Sequence, residues 1–307
     1  MLIDLLKRPR DFGRRTYYFL KNKLSPLIFW WETRNKSHEE LSVFTCNICG
    51  SKNKVLRDRM LLREKSSCYR CLSSLRNRSV TNALSLSLFG TSMLLGDFPA
   101  SDSRFGVGLS DWKGMAKRLD KKLHYQNTFY HKEPYLDILK VDENQWETVD
   151  FVICSEVLEH VSPPVEIATV NLFHLLREGG FVIITVPYNT GGAQNGPTVE
   201  HFPDLHQFEI IREGDYHQRG FQESQVLVNT TTEGERQEFT DLAFHGGCGG
   251  GLNLEMRQFT THSIVELLRA SGFSRIEVLG SDFKDFGIEF LGEYRGQIDK
   301  APVIAWK

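Results

Sequence analysis

Four cysteines have the spacing of metal ligands. Cys46-x2-Cys49 is followed, after 18 intervening residues, by Cys68-x2-Cys71. Two such pairs at this separation are typical of a tetrahedral zinc site, in which each pair sits on a tight turn and supplies two thiolates. The spacing therefore predicts that Cys46, Cys49, Cys68 and Cys71 bind a structural Zn2+.

Two other uses of paired cysteines fit this sequence less well. Two disulfides would suit a secreted protein, but the chain begins Met-Leu-Ile-Asp and has no cleavable signal layout. A redox Cys-x-x-Cys pair would not explain why the motif is duplicated. Arg70 and Arg76 are close enough in sequence to offset the charge of four thiolates. We therefore expect a cytoplasmic protein.

The composition and the hydrophobic pattern predict one large α/β domain with a small addition. The chain has 307 residues, of which 40% are hydrophobic and 25% charged, which excludes disordered, collagen-like and coiled-coil classes. No run of about 18 apolar residues is present, so no membrane-spanning helix is expected. From residue 104 onward, apolar strands alternate with helices, as in a parallel sheet that is covered on both faces. Strands are expected at 104–109, 125–130, 150–154, 181–187, 275–279 and 302–306, and helices at 79–90, 112–123, 163–180 and 263–270. Gly90 and the pair Gly179-Gly180 are expected to end two of these helices, and a hairpin is expected around Glu233-Gly234. No helical pattern lies between the last two strands, so they are expected to pair antiparallel.

The end of the first strand of this sheet has glycines that a ligand could approach. In parallel sheets, ligands bind beyond the carboxyl ends of the strands. Gly106 and Gly108 lie at such an end, just before a helix whose N-terminus would favour a carboxylate. The segment lacks a third glycine, and an ordinary strand-to-helix turn explains it equally well.

Two further segments carry a more specific pattern. Residues 150–161 read Asp-Phe-Val-Ile-Cys-Ser-Glu-Val-Leu-Glu-His-Val, and residues 177–187 read Arg-Glu-Gly-Gly-Phe-Val-Ile-Ile-Thr-Val-Pro. Both resemble class I S-adenosyl-L-methionine-dependent methyltransferases, over residues 104–190 and more loosely over 256–307. The resemblance implies a seven-stranded Rossmann-like sheet with six parallel strands and one antiparallel strand, and S-adenosyl-L-methionine as cofactor.

The resemblance also assigns cofactor-binding roles to individual positions. Gly106, Gly108 and Ser110 match the glycine-rich loop under the methionine part of the cofactor, although the usual Gly-x-Gly-x-Gly is here Gly-x-Gly-x-Ser-Asp. Asn127 stands where the family has the acid that holds the ribose hydroxyls, and an amide would bond them without charge assistance. Asp137 matches the acid that contacts the adenine amine.

The end of the 150–155 strand would line the methyl-transfer site. There the resemblance places Cys154 and Ser155, followed by Glu156. Because the sulfonium is already activated, the protein mainly aligns the acceptor and removes a proton where one must leave. We predict Glu156, His160 and His201 as catalytic residues.

The same segment could also hold a second metal. Glu156, Glu159 and His160 have i, i+3, i+4 spacing, so a helix would present all three on one face. Some methyltransferases use a similar face with a later histidine to bind a divalent metal, and His201 or His206 would be that histidine here. The alternative is that Glu159 and His160 cap the helix and fix the following loop.

The sequence predicts three regions. Residues 1–40 form a basic aromatic arm, 41–78 a zinc ribbon, and 79–307 a methyltransferase domain in which 188–258 is an insertion that covers the substrate. Residues 1–36 carry a net charge of +6 and the remaining 271 residues a net charge of −8. The arm could lie on an anionic membrane surface or on nucleic acid, or form a helix whose apolar face packs on the main domain while its lysines and arginines face water.

These features lead to one preferred function and two alternatives. We expect a methyltransferase that acts on a small molecule or a glycan precursor, cytoplasmic or peripheral to a membrane. An RNA methyltransferase that uses the zinc ribbon and the basic arm is the first alternative, although the acidic body argues against a broad phosphate-binding surface. A non-catalytic zinc-ribbon protein with a degenerate methyltransferase fold is the second, because the glycine loop is altered and the ribose-binding acid is absent.

Overall fold

The computed structural model describes residues 14–188, 196–217, 220–246, 252–290 and 301–307. The helices in these ranges are α1 (Arg14–Thr33), α2 (Arg57–Leu61), α3 (Leu75–Phe89), α4 (Lys113–Leu119), α5 (Val165–Leu175) and α6 (Thr261–Ala270). The strands are β1 (Leu41–Thr45), β2 (Lys52–Leu56), β3 (Ser101–Leu109), β4 (Leu123–Thr128), β5 (Val149–Ser155), β6 (Leu176–Thr185), β7 (Val199–Glu200), β8 (Gln207–His217), β9 (Gly220–Thr230), β10 (Arg236–Phe239), β11 (Phe244–Gly246), β12 (Leu252–Leu254), β13 (Arg257–Gln258), β14 (Arg275–Val278) and β15 (Val303–Trp306). No helix in these ranges is long and apolar enough to cross a membrane.

A mostly parallel sheet of six strands forms the centre of the molecule. Its order is β14-β15-β6-β5-β3-β4. Strands β4, β3, β5 and β6 pair in parallel, whereas β15 pairs antiparallel with both β6 and β14. The chain leaves β3 towards β4 on one side, and β5 follows on the other side of β3. This reversal of strand order opens a crevice at the carboxyl ends of β3 and β5.

Both faces of the sheet are covered, as the continuous apolar strands predict. Alternate residues of each strand point to opposite faces. Along β5, Val152 and Cys154 join a buried cluster with α5 and α6, while Phe151 and Ile153 join a second cluster with α3 and α4. The sheet is therefore the middle layer of three, and its strand ends are held by two separate cores.

Capping residues fix the ends of two helices. The Ser74 side chain accepts a hydrogen bond from the backbone N–H of Asn77 at the start of α3, and α3 ends at Gly90, which has a φ of 70°. Thr260 caps α6 in the same way through the N–H of Ser263. These are the side-chain caps and the left-handed stop that helix termini favour. The predicted end of the connecting helix at Gly90 is confirmed.

The predicted seventh strand is not formed in the described ranges. Between β4 and β5, where the third strand of a seven-stranded sheet would lie, Phe129 and Tyr135 make a single isolated bridge. Pro134 lies within this segment and has no N–H to give to a ladder. The sheet therefore ends at β4.

The pair Gly179-Gly180 was expected to close the helix before β6, and this is wrong. Helix α5 ends at Leu175, and both glycines lie inside β6. Gly179 has a φ of 72°, and the β5–β6 register shifts at this position. A left-handed residue at a bulge favours glycine, so the pair marks an irregular strand rather than a helix end.

The cysteine-rich region is a small unit that packs on the end of the main sheet. The β1–β2 hairpin and α2 enclose a cluster of Phe44, Ile48, Val55 and Met60, together with Phe29 from α1. Helix α1 thus packs on this unit through Phe29, rather than on the main domain as one interpretation of the arm expects, and its Leu27, Trp30 and Trp31 side chains remain exposed.

Arg78 ties the cysteine-rich unit to the main domain. Its fully buried guanidinium donates to the Ser67 hydroxyl at 2.8 Å and to the carbonyls of Phe286 and Gly287 at 2.9 and 2.8 Å. It also lies over the Phe44 ring, 4.5 Å from the centroid. Burial lowers the pKa of Arg78 to about 10, although the nearby cysteine sulfurs act in the opposite direction. Arg78, rather than Arg70 or Arg76, is the arginine buried beside the sulfurs.

The region after β6 forms further strands with their own core. A three-stranded sheet of β8, β9 and β10 has its predicted turn at Gly234, which has a φ of 85°. Phe202, Leu227, Leu254 and Met256 form the buried cluster of this region. The glycine tract at 247–251, including Cys248, lies outside the described residues.

Candidate active site

A large cleft lies at the carboxyl ends of β3 and β5. It has a volume of about 1040 Å³, and it is lined by residues 109–111 at the end of β3 and by residues 155–157 at the end of β5. The two places that the sequence assigns to the cofactor therefore meet at the switch point of the sheet. A cleft of this size is at the upper end of the range for small-molecule sites, roughly 300–1000 Å³.

Three parts of the chain enclose this cleft. The cysteine-rich unit contributes Arg63 and Glu64, and α3 contributes Arg76 and Asn77. The region after β6 contributes the far wall, which comprises Pro187, His245, Asn253, Leu254 and Met256. The cleft is thus covered by segments that are distant in sequence from the strands that form its floor.

The four paired cysteines have the geometry of a zinc site. Tetrahedral zinc with Zn–S bonds of about 2.3 Å places its sulfurs about 3.8 Å apart. The Sγ atoms of Cys46 and Cys71 are 3.7 Å apart, and those of Cys49 and Cys68 are 3.6 Å apart. All four sulfurs lie within 4.8 Å of one another, and none is in a disulfide. The donor set fits Zn2+, and the disulfide alternative does not describe this arrangement.

Glu156 is held by an arginine from the cysteine-rich unit. Arg63 makes a bidentate pair with its carboxylate, at 2.5 and 2.8 Å, and also donates to the carbonyl of Val186 at 3.2 Å. Burial alone would raise the pKa of Glu156, but the charge of Arg63 outweighs it and lowers this pKa to about 2. Glu156 is therefore a weak base in this arrangement.

A second arginine reaches the end of β5. Arg76 donates to the Ser155 hydroxyl at 2.7 Å and pairs with Glu64 at 2.7 and 2.8 Å. The Ser155 hydroxyl is also 2.7 Å from that of Thr185 on β6. Ser155 lines the cleft, and its hydroxyl is oriented by these two neighbours.

In the glycine-rich turn, Ser110 faces the cleft, whereas Gly106 and Gly108 make room for neighbouring side chains. Ser110 lines the cleft and has a φ of 61°, so it adopts the left-handed conformation that the third glycine of the motif would adopt readily. Gly106 faces the Phe151 ring, and Gly108 faces the Tyr125 hydroxyl and the Asp111 carboxylate. Neither glycine lines the cleft, and their lack of a side chain serves the packing beneath it.

Asp111 and Tyr125 form a buried pair under this turn. The Tyr125 hydroxyl donates a short hydrogen bond to Asp111 Oδ2. Burial raises the pKa of Asp111 to about 7, although the bond from Tyr125 opposes the shift. The pair supports the turn that carries Ser110, and sequence analysis did not single it out.

We expect Gly108→Ala to destabilise the fold through this pair. A Cβ at residue 108 would overlap the Tyr125 hydroxyl and the Asp111 carboxylate, and overpacking of this kind costs about 1–3 kcal/mol. Chemical denaturation would measure the loss. Gly96→Ala is the matched control, because a Cβ at Gly96 meets no atom within 4 Å. Equal stability of the two variants would show that the turn has room for a side chain.

The other predicted cofactor residues have different surroundings. Asp137 lines the cleft, and its Oδ1 accepts a hydrogen bond from the N–H of Leu139 at 2.9 Å. Asn127 is instead bonded to the backbone of Asp111, at 2.8 and 3.0 Å, and lines a neighbouring hollow of about 550 Å³. Cys154 is fully buried in the core, and burial raises its pKa well above the usual value. Of these three residues, only Asp137 faces the cleft.

The predicted helical face of Glu156, Glu159 and His160 does not exist. Glu156 has a φ of 57° and is followed by a 3-10 turn at Leu158–His160, so the three residues do not share a helical face, although all three line the cleft. The cap interpretation is also wrong, because α5 begins later, after Pro164. The turn is fixed instead by Arg257, which donates to the carbonyls of Leu158 and Val161 at 2.8 and 2.6 Å.

The turn brings Glu159 and His160 next to His245 from β11. Ligand atoms of these three residues lie within 4.8 Å of one another. His160 Nδ1 is 2.7 Å from the carbonyl oxygen of Leu254, and burial lowers the pKa of His160. Burial and the charge of Glu156 both raise the pKa of Glu159. His245 was not predicted, because it lies 85 residues beyond His160 without a recognisable motif.

The two histidines that were predicted as the later metal ligand, His201 and His206, lie elsewhere. His201 does not line the cleft, and its Nε2 is 2.9 Å from Glu255 Oε1. His206 is exposed, and its backbone N–H donates to Asn229. Within the described residues, His201 is connected to the cluster through Glu255, whose other oxygen is 2.9 Å from His245 Nε2.

Comparisons with known proteins give the following findings. No protein-family model matches the sequence, and no curated protein matches it. Among solved structures, the chain is similar to an amino pentose methyltransferase from Micromonospora echinaspora with bound S-adenosylmethionine, at 13% identity and a TM-score of 0.38, over 78% of this chain and 94% of that one.

Two other solved structures are similar to the chain to the same degree. One is a 1,6-didemethyltoxoflavin-N1-methyltransferase from Burkholderia thailandensis with bound S-adenosylhomocysteine, at 12% identity and a TM-score of 0.36, over 76% and 78% of the two chains. The other is a sugar N-methyltransferase from Streptoalloteichus sp, at 12% identity and a TM-score of 0.36, over 66% and 80%. At these scores the likeness carries no weight in the assignment of function, which depends on the strand order and the cleft.

Proposed function

We propose that this protein is an S-adenosyl-L-methionine-dependent methyltransferase that acts on a small molecule or a glycan precursor. The observation that carries the proposal is the cleft at the switch point of the sheet, where Ser110 after β3 and Glu156 after β5 face one space. Both residues have a positive φ, a strained conformation that is concentrated at functional sites. The cofactor would supply an activated methyl group.

Three residues of the cleft are suited to holding the cofactor. Ser110 would lie under its methionine part, Asp137 would accept from the adenine amine, and Ser155 would border the reacting end. Leu136 and Ile138 line the cleft next to Asp137 and suit an apolar ring. In this proposal four of the predicted residues do not contact the cofactor and instead support the residues that line the cleft: Gly106, Gly108, Asn127 and Cys154.

The chain would align the acceptor and exclude water from it. Arg63 and Arg76 cover the cleft from above, while His160 and His245 border it on the far side. His160 Nδ1 must carry the proton in its contact with the Leu254 carbonyl, so Nε2 has a free lone pair that can accept a proton or bind a cation. A small acceptor suits this cleft better than RNA, because Arg63 and Arg76 are paired with Glu156 and Glu64 rather than free for phosphate.

Calorimetric titration with S-adenosyl-L-methionine tests the proposal. We expect one site per chain and at least a tenfold loss of affinity in Asp137→Ala, since a buried hydrogen bond to a charged group contributes about 1.5–3 kcal/mol. Asp102→Ala is the matched control, because Asp102 is exposed near the opposite end of β3. Absence of binding at millimolar cofactor would overturn the proposal. Equal affinity of the two variants would mean that the adenine lies elsewhere.

A further inference from the structure

Three side chains with metal-binding atoms converge at the far end of the cleft. The ligand atoms of Glu159, His160 and His245 lie within 4.8 Å of one another, and all three residues line the cleft. We propose that they bind a divalent transition-metal cation, and that this cation takes a hydroxyl oxygen of the acceptor. The role towards the acceptor rests on the proposed function, whereas the metal site itself does not.

Glu159 provides the clearest sign of a cation. Its side chain is fully buried, and neither carboxylate oxygen accepts a hydrogen bond from another residue in the described ranges. Burial of a carboxylate without a partner is costly, and buried polar groups in proteins are nearly always satisfied. Arg63 and Arg257 lie near this turn, but their ion pairs are with Glu156, Glu64 and Glu200. A bound cation would satisfy both the charge and the oxygens of Glu159.

The two histidines are oriented as metal ligands by hydrogen bonds from their other nitrogens. His160 Nδ1 lies 2.7 Å from the carbonyl of Leu254, which can only accept, so Nε2 carries the lone pair. This Nε2 is 3.7 Å from Glu159 Oε1, a separation that a metal ion between the two atoms would produce. His245 Nε2 lies 2.9 Å from a Glu255 oxygen, which leaves its Nδ1 free. Histidines that bind metals are usually held by a carbonyl or a carboxylate in this way.

The donor set and the cleft indicate the class of metal and ligand. Two imidazoles and one carboxylate suit Zn2+, Fe2+ or Mn2+ and leave coordination positions open. Because the three donors border the cleft, an oxygen of a bound small molecule can reach those positions. A divalent cation strongly lowers the pKa of a bound hydroxyl, whose proton would leave to water. The site would therefore favour a hydroxyl acceptor over an amine that is already nucleophilic.

Mn2+ is the probe for this site, because thiolates prefer softer metals and the four-cysteine site would keep its zinc. The full-length protein is passed over a chelating resin, its zinc content is measured, and Mn2+ is added while electron paramagnetic resonance follows the free ion. We expect one Mn2+ per chain. Glu159→Gln and His245→Ala should each weaken binding by more than tenfold, and Glu255→Gln by about 10–100-fold through the loss of His245 orientation.

Controls distinguish a loss of metal binding from a loss of folding and from a loss of cofactor binding. His262→Ala removes an exposed histidine on α6 and should leave Mn2+ affinity unchanged. Without Mn2+, Glu159→Gln should melt near the wild-type temperature, because no residue in the described ranges hydrogen-bonds to the Glu159 side chain. With Mn2+, only the wild type should gain melting temperature. Failure of the wild type to bind Mn2+, or equal binding by Glu159→Gln and His245→Ala, would overturn the site. Titration of the same proteins with S-adenosyl-L-methionine tests the proposed function independently.

Discussion

A Zn2+ ion held by the four cysteines, as their spacing predicts, should be released in Cys46→Ser, and the cysteine-rich unit should then unfold. Apparent zinc-binding free energies in small zinc domains are about 10–16 kcal/mol, and this energy is folding energy when the core is small. The apolar cluster around Cys46 here has seven buried members, two of which are the cysteines themselves. Zinc content by mass spectrometry and protease sensitivity after Arg59 and Arg63 would measure the loss.

The matched control for this variant is Cys154→Ser. Cys154 is as fully buried as Cys46 but lies in the core of the main sheet. It should keep one equivalent of zinc while losing some stability, since a buried hydroxyl without a partner costs about 1–3 kcal/mol. A full equivalent of zinc in Cys46→Ser, with normal protease resistance, would contradict a structural zinc site.

Arg63→Ala is expected to have the second largest effect. Removal of one partner from a buried ion pair costs about 3–5 kcal/mol, because the other charge stays buried. The Arg63 and Glu156 side chains are only 13% and 20% exposed, and their contact is bidentate. The double variant Arg63→Met with Glu156→Gln should recover most of the stability. Arg177→Ala, which breaks an ion pair in which Arg177 is 48% exposed, should cost at most about 1 kcal/mol.

Stabilisation by the Arg63–Glu156 pair should depend on pH. The pKa of Glu156 is lowered to about 2, from an ordinary value of about 4.3. Its contribution to stability is therefore complete above the ordinary value and is lost as the pH falls towards 2. The stability difference between wild type and Arg63→Ala should therefore be largest near neutral pH and should narrow as the pH falls towards 2, because Glu156 takes up its proton at a higher pH in the variant. A constant difference down to pH 2 would show that the pair is not the cause of the loss.

Much of the central sheet could be predicted from local pattern. Strands buried on both faces read as continuous apolar runs, so β5 was recognised within one residue at each end. The apolar part of β6 was recognised from residue 181 onward, but its first five residues, 176–180, were wrongly assigned to the preceding helix. The order of the last two strands followed from the absence of a helix between them, and their antiparallel pairing is confirmed. The four-cysteine cluster followed from spacing alone, since each pair is local and the two pairs must meet to bind one ion.

The features that were missed depend on contacts between distant segments. Arg63 reaches Glu156 across 93 positions, and His245 joins His160 from a separate strand pair, so neither contact leaves a local periodicity. The spacing of Glu156, Glu159 and His160 suggested a helix, but the left-handed backbone conformation of Glu156 prevents a helix from starting there. The glycines of the β3 turn appeared to be ligand contacts, whereas their lack of a side chain makes room for Phe151, Tyr125 and Asp111.

The central claim is that the methyl donor binds where β3 and β5 end. A crystal structure of the protein with S-adenosylhomocysteine tests it most directly. The proposed function predicts the ligand in the cleft, with its amino acid part next to Ser110 and its adenine beside Asp137. Two results would contradict the proposal. The ligand could lie in the hollow beside Asn127, or the cleft could remain empty at saturating ligand concentration with the Arg63–Glu156 pair filling it.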